Sequence, residues 1–110
     1  MDFSANIPFD LAAGAGVGPI WGTASADLNA TLLSWRPGQG VDEHVNEQCD
    51  VLLVVVAGSG RIRVDEDGNE LRPGLAVLVE KGRARAIEAG AEGLRYLAVH
   101  VRRAPLQLDL

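Results

Sequence analysis

The stretch PGQGVDEHVNEQCDVLLVVVAGSGRIRV, residues 37–64, decides the fold. A Pro-Gly turn opens it, a single histidine stands at His44, and a wholly apolar run at 51–57 leads into Gly-Ser-Gly at 58–60. Because the run is apolar at both parities, it predicts a β-strand whose two faces are both covered. One face of such a strand lines the interior of a small barrel, and the other packs on a second layer or on another subunit.

Strand patterns continue on either side of this stretch, and no segment has convincing helical periodicity. The predicted strands are 17–24, 28–36, 41–46, 51–57, 60–65, 69–72, 75–80, 84–88 and 94–102. Gly-rich or Pro-rich turns separate them, at 36–40, 58–60, 65–69, 72–74 and 88–93. Many short strands with such punctuation predict an all-β sandwich or barrel. We expect residues 1–16 to form an irregular arm with one helical turn at most, and residues 17–110 to form a single barrel domain.

Composition excludes several classes of function. The chain has 110 residues and a formal charge of −5, which argues against nucleic acid and anionic membranes as partners. Its longest apolar run is far too short to span a bilayer, and Asp2 without a basic segment argues against a secretory signal. A cytoplasmic location is the default expectation. Cys49 is the only cysteine, so the chain forms no internal disulfide and no cysteine-based zinc site.

The glycine and proline skeleton resembles that of the cupin superfamily, whose members are jelly-roll barrels also described as double-stranded β-helices. The resemblance covers about residues 28–102. The first cupin motif is matched by Pro37-Gly38, His44 and Gly58. The second is matched in GNELRPGLAVLVEKGRARAI by residues that fix turns: Gly68, Pro73, Gly74 and Gly82. The resemblance implies a jelly-roll barrel that carries its site in the lumen.

The metal ligands that the resemblance implies are mostly replaced. His44 matches the first histidine of the motif, but Asn46 stands at the second. Val51 occupies the glutamate position and Arg85 the last histidine position. Valine has no donor atom and a permanently cationic arginine repels a cation, so we expect no metal or other cofactor.

A divalent transition metal stays open as an alternative through different ligands. A β-bulge could turn Asp50 inward, and His44, Asp50 and His100 would then form a set of two histidines and one carboxylate. Against this, the strand parity near the C-terminus places His100 with Tyr96 and Ala98, opposite the more apolar face, which predicts that His100 points away from the lumen.

The altered site predicts a small-molecule pocket. Strand parity directs seven side chains into the lumen: His44, Asn46, Val51, Leu53, Val55, Arg85 and Ile87. Apolar walls with an imidazole, an amide and a guanidinium at one end suit a small acidic organic ligand. The competing interpretation is a plug, in which Arg85 pairs with Asp50 or Glu43 and closes the lumen.

The sequence leaves the activity open. His44 is the candidate catalytic base, but no orienting carboxylate is assured for it. Two further functions remain: a metal-dependent cupin enzyme (dioxygenase, isomerase or epimerase) with unusual ligands, and a structural or regulatory dimeric module. Homodimerisation is the preferred explanation for the doubly apolar strand at 51–57, and a covering strand from the same chain is the alternative.

Overall fold

The structure, a computed structural model, describes residues 5–102, which form seven β-strands and no helix. The strands are β1 (Gly18–Ala24), β2 (Leu28–Trp35), β3 (Gly40–Val45), β4 (Val51–Val64), β5 (Asp67–Leu71), β6 (Ala76–Val79) and β7 (Ala84–Val101). The prediction of an all-β fold is confirmed. Since these residues contain no helix, none of them provides a helical membrane span.

Two long strands, β4 and β7, organise the barrel and pair with each other along their length. The first half of β4 also pairs with β6, and its second half pairs with β5. In the same way, the second half of β7 pairs with β2, which pairs with β1, whereas the first half of β7 pairs with β3. Each long strand therefore contributes to both walls of the barrel.

Both long strands extend further than predicted. Turns were predicted at 58–60 and 88–93, but β4 continues through the first segment and β7 through the second. The β4–β7 register shifts between Val55 and Ala57 and again between Gly58 and Gly60, so bulges bend the strands where turns were predicted. Gly58 has a φ of +84°, and a Cβ there would collide with the carbonyl oxygen of Gly93. These glycines allow two backbones to approach closely rather than reverse direction.

The core lies between the two walls. Its buried side chains come from four strands and are Val51, Leu53, Val55, Ile62, Leu71, Val79, Ile87, Ala89, Leu94 and Tyr96. In β4 the alternation is clear, because Val51 and Leu53 are buried whereas Leu52, between them, is exposed. One parity of the apolar run thus faces the lumen, as period-two geometry requires.

The segment before β1 is fastened to the outside of the barrel. The Arg95 guanidinium donates hydrogen bonds to the carbonyl oxygens of Leu11, Ala13 and Gly14, at 3.1, 2.8 and 3.0 Å. The ring of Phe9 stacks on Trp21 of β1 with centroids 4.7 Å apart. We call residues 5–17 the N-terminal arm. These contacts hold it beside the outer surface of β1, β2 and β7.

Candidate functional site

The apolar residues that were predicted to face the lumen do lie in the barrel interior. Val51, Leu53, Val55 and Ile87 all belong to the buried core and are at most 5% exposed. Their side chains are apolar and fill the lumen. We call the part of the lumen beside His44 and Arg85 the polar end of the barrel.

His44 and Arg85 lie opposite each other on neighbouring strands. The two residues are register partners of β3 and β7, so their side chains emerge on the same face of the sheet. A register shift between Val41 and His44 keeps both of these β3 residues on the inner face. The His44 Nδ1 lies 3.2 Å from the carbonyl oxygen of Asp42, a contact that orients the imidazole. Arg85 shares the parity of the buried Ile87, which places it on the core side of β7.

Arg85 has no anionic partner within the part of the chain that the structure describes. Its Nε atom is buried and lacks a hydrogen-bond partner there. Burial lowers the pKa of the guanidinium, and Tyr96 and Cys49 oppose this effect. A partly buried cation with an unpaired N–H is an arrangement that a bound anion would stabilise.

The partners proposed for Arg85 in the plugged barrel are engaged elsewhere. The Asp50 Oδ1 accepts a hydrogen bond from the backbone N–H of Lys81 at 2.9 Å. Glu43 forms an ion pair with Arg63 on the outer surface. The competing interpretation, in which Arg85 pairs with Asp50 or Glu43, is therefore wrong, because both carboxylates bind other donors.

Tyr96 is a polar residue of the lumen that was not predicted to lie there. It is 3% exposed, and its hydroxyl accepts a hydrogen bond from the indole Nε1 of Trp35 at 3.1 Å. Burial raises the pKa of Tyr96, while the Trp35 hydrogen bond and the Arg85 charge lower it by less. The phenol is therefore neutral at pH 7, and its own proton stays available to an acceptor near Arg85.

The prediction of which side chains of β7 face the lumen was wrong near the end of the strand. Tyr96 belongs to the core, Ala98 packs against that core, and Val101 is 61% exposed. His100 shares the parity of Tyr96 and so lies on the inner face, near the end of the barrel, where its Nδ1 lies 2.9 Å from the carbonyl oxygen of Val101. Its register partner Asn29 has a buried Oδ1 without a partner among residues 5–102. The signal available in the sequence was the alternation of Asn29, Thr31, Leu33 and Trp35, which shares this inner face.

Asn46 does not act as a lumen residue. It follows β3, and its Oδ1 accepts hydrogen bonds from the backbone N–H groups of Gln48 and Cys49 at 2.9 and 3.2 Å. Its Nδ2 lies 3.5 Å from the Cys49 sulfur. This local capping holds the loop between β3 and β4, as asparagine commonly does in turns. His44 and Asn46 still line one open cavity of about 410 Å³ together with residues 45, 47 and 48.

The side chains at this end do not fit the metal that the cupin resemblance implies. Within residues 5–102, no three His, Cys, Asp or Glu side chains lie close enough to hold an ion. The alternative set of His44, Asp50 and His100 is therefore not brought together. Arg85 adds a positive charge beside His44, which opposes cation binding further.

A second cavity, of about 600 Å³, lies on the outer surface between β3, β4, β5 and β7. Arg61 and Arg63 both line it, but Arg63 pairs with Glu43 and Arg61 lies 3.8 Å from Glu70. Its cations are thus already balanced by exposed carboxylates, in contrast to Arg85.

Comparison with known proteins identifies the fold. No protein-family profile and no curated protein sequence matches the chain. A cupin protein, BF4112 from Bacteroides fragilis, has a similar structure with a TM-score of 0.67 and 21% identity over 80% of this chain and 76% of that one. A conserved protein with a double-stranded beta-helix domain from Klebsiella pneumoniae has a TM-score of 0.73 and 17% identity over 89% and 90%. The Schizosaccharomyces pombe Cnp3 cupin domain has a TM-score of 0.76 and 12% identity over 88% and 70%.

These likenesses, together with the two bent strands shared by both walls, define a double-stranded β-helix barrel. The chain has the fold of the cupin superfamily, as the motif skeleton predicted. Identities of 12–21% carry the fold and not the activity.

Proposed function

We propose that the protein binds a small organic molecule with a carboxylate or similar acidic group at the polar end of the barrel, without a metal. The observation that carries the proposal is Arg85: a partly buried guanidinium on the inner face whose Nε has no partner among residues 5–102.

The groups around Arg85 match the needs of an anion. The guanidinium offers planar N–H donors in a fork that fits two acidic oxygens. The neutral Tyr96 hydroxyl accepts from Trp35 and so directs its own proton elsewhere. An acidic group placed between them receives charge-assisted hydrogen bonds from Arg85 and a further bond from Tyr96.

Because the core fills the rest of the lumen, the proposed ligand is small and extends from Arg85 toward the open cavity beside His44 and Asn46. Val51, Leu53 and Val55 form an apolar wall from β4, next to the polar end. Apolar walls with few convergent polar groups are the usual composition of small-molecule sites. Binding is the function proposed; His44 stands beside Arg85 as the candidate base if the bound molecule also reacts.

The test is Arg85→Met, which keeps an apolar stem of similar length and removes the charge. Titration calorimetry against a panel of small monocarboxylates and dicarboxylates, with their amides as neutral analogues, measures binding. We expect wild type to bind one or more acids and to ignore the matching amides. Arg85→Met should weaken acid binding by about 2–5 kcal/mol, the usual loss for a desolvated charge pair.

Stability separates this proposal from a plugged barrel. Because no carboxylate pairs with Arg85 in the described part of the chain, its replacement strands no buried anion, and the melting temperature of Arg85→Met should stay equal or rise. Arg63→Met is the matched control, since Arg63 is exposed and paired with Glu43, and it should leave acid binding intact. Equal acid binding in wild type and Arg85→Met would contradict the proposal.

A further inference from the structure

The open cavity beside His44 contains a carboxylate. Its lining consists of five consecutive residues, 44–48, from the end of β3 and the loop that follows it. Glu47 is the acidic side chain among them. A ligand that is held by Arg85 and extends into this cavity therefore meets a negative charge at its other end.

The Glu47 carboxylate is available to a ligand. Within the described part of the chain it forms neither an ion pair nor a hydrogen bond. The side chain is exposed. Glu43 and Asp50, two neighbouring acidic residues, already bind other groups. Glu47 can thus accept an additional partner without losing an existing contact.

Hydrogen bonds hold the loop that carries Glu47 in a defined position. The Asn46 Oδ1 accepts hydrogen bonds from the two backbone N–H groups that follow Glu47, at 2.9 and 3.2 Å, so Glu47 lies within a turn capped by asparagine. The Asn46 carbonyl oxygen accepts a hydrogen bond from the N–H of Gly82 at 2.8 Å. This bond joins the turn to the segment just before Arg85, so both charged residues are fixed at the same end of the barrel.

The spacing of the two charges limits the length of a ligand that contacts both. His44 is the register partner of Arg85, and the Cα atoms of such partners lie about 5 Å apart. The three residues from His44 to Glu47 add at most about 10 Å. Because the arginine and glutamate side chains are themselves long, the remaining gap suits a molecule only a few carbon atoms in length.

We infer that the ligand is a small amino acid whose amino group is remote from its acid: the carboxylate binds Arg85 and the ammonium group binds Glu47. The inference rests on the proposed function, since it adds a second contact to the same bound acid. Net charge favours such a ligand, because the formal charge of −5 repels a simple anion, whereas a zwitterion has no net charge. A dicarboxylate would place its second acidic group beside Glu47 and be repelled.

Titration calorimetry with butanoate, pentanoate and hexanoate, each compared with its derivative that has a terminal amino group, tests the inference. Wild type should bind at least one of the amino acids about fivefold more tightly than the matched acid, the upper range for an exposed charge pair. Glu47→Gln should reduce this ratio to about one by weakening only the amino acid. Since Glu47 has no contact of its own in the described chain, the variant should keep the wild-type melting temperature.

Two further variants are measured in the same way. Glu66→Gln is the matched control, because Glu66 is also exposed and its replacement changes the net charge equally, but it lines the cavity on the outer surface. This variant should keep the wild-type ratio. Arg85→Met should weaken both members of each pair, because it removes the contact that they share.

The outcomes separate this inference from the proposed function. Acids whose binding depends on Arg85 but is not improved by an amino group would overturn the inference and leave the proposed function standing. A preference for the amino group that persists in Glu47→Gln, or tighter binding of dicarboxylates than of the amino acids, would overturn it in the same way. A wild-type protein that binds none of these acids would remove the proposed function, and the inference with it.

Discussion

Tyr96 and Arg85 act on each other although they are eleven positions apart in the sequence. Both lie on β7, one in each half of the strand, and the bend between the halves brings their side chains to the same lumen. Each shifts the pKa of the other: Arg85 lowers that of Tyr96, and Tyr96 raises that of Arg85. For both groups, burial shifts the pKa more than the mutual interaction does, so the neutral phenol of Tyr96 is favoured.

This balance predicts the alkaline behaviour of the protein. The folded pKa of Tyr96 lies above its unfolded value of about 10. Folding therefore favours the protonated phenol, and the unfolded chain releases this proton at a lower pH than the folded protein does. Stability linked to the neutral phenol is fully present below the unfolded pKa and is lost as the pH rises through the folded pKa. The free energy of unfolding should therefore fall above about pH 10.

Tyr96 is the only tyrosine, so absorbance at the tyrosinate wavelength reports on it alone. The titration midpoint should lie above about 10 in the folded protein and return to about 10 in concentrated guanidinium chloride. Tyr96→Phe should lose the absorbance change and have a flatter alkaline stability profile. Equal midpoints in the folded and unfolded protein would contradict the buried, neutral phenol.

At the scale of the element, the decisive feature is the bend of β4 against β7. Gly58 has positive φ and lies against the Gly93 carbonyl, so a side chain there meets both a torsional and a steric barrier. Gly74 also has positive φ, at +93°, but a Cβ added there would meet nothing within 4 Å beyond its chain neighbours. The two glycines therefore separate the torsional cost from the cost of close approach.

Alanine substitution measures these two costs. Gly74→Ala should lower the free energy of unfolding by about 1–2 kcal/mol, the cost of a left-handed residue with a side chain. Gly58→Ala should cost about 2 kcal/mol more, since the β4 and β7 backbones must also separate. Urea unfolding at one temperature gives both values. Equal losses in the two variants would show that the close approach of the strands does not matter for stability.

At the scale of the whole molecule, the polar end of the barrel combines the ends of several strands, and its donor set decides what it holds. His44 stands beside a guanidinium, and Asp50 is bonded to the backbone of Lys81. Such a set lacks the geometry and the negative charge that transition metals require.

Metal analysis of the purified protein should therefore find less than one equivalent of transition metal. Chelator treatment should leave the melting temperature unchanged, because no folding free energy is linked to metal binding. Stoichiometric metal that disappears in His44→Ala would contradict this expectation and would restore a metal-dependent activity.

The sequence alone determined the class of fold, because Gly and Pro turns and the doubly apolar run at 51–57 depend on local chemistry and period-two geometry. It also identified Arg85 and the apolar wall of Val51, Leu53 and Val55 on the inner parity. The same local signals misassigned 58–60 and 88–93 as turns. The sequence does not distinguish a glycine that allows two strands to approach closely from a glycine that allows a turn.

Only the tertiary structure decided which polar groups meet. The inner face of β7 was predicted incorrectly because Leu97, Val99 and Val101 are more apolar than Tyr96, Ala98 and His100. Hydrophobicity alone does not distinguish a core from a second apolar surface.

The polar side chains near the lumen also have partners that the sequence did not reveal. Asn46 forms hydrogen bonds within its own loop, and the carboxylates of Asp50 and Glu43 bind Lys81 and Arg63. These partners depend on distances between strands that are far apart in the sequence. The strand pattern therefore predicts the barrel, but the contacts at its polar end are seen only in the folded structure.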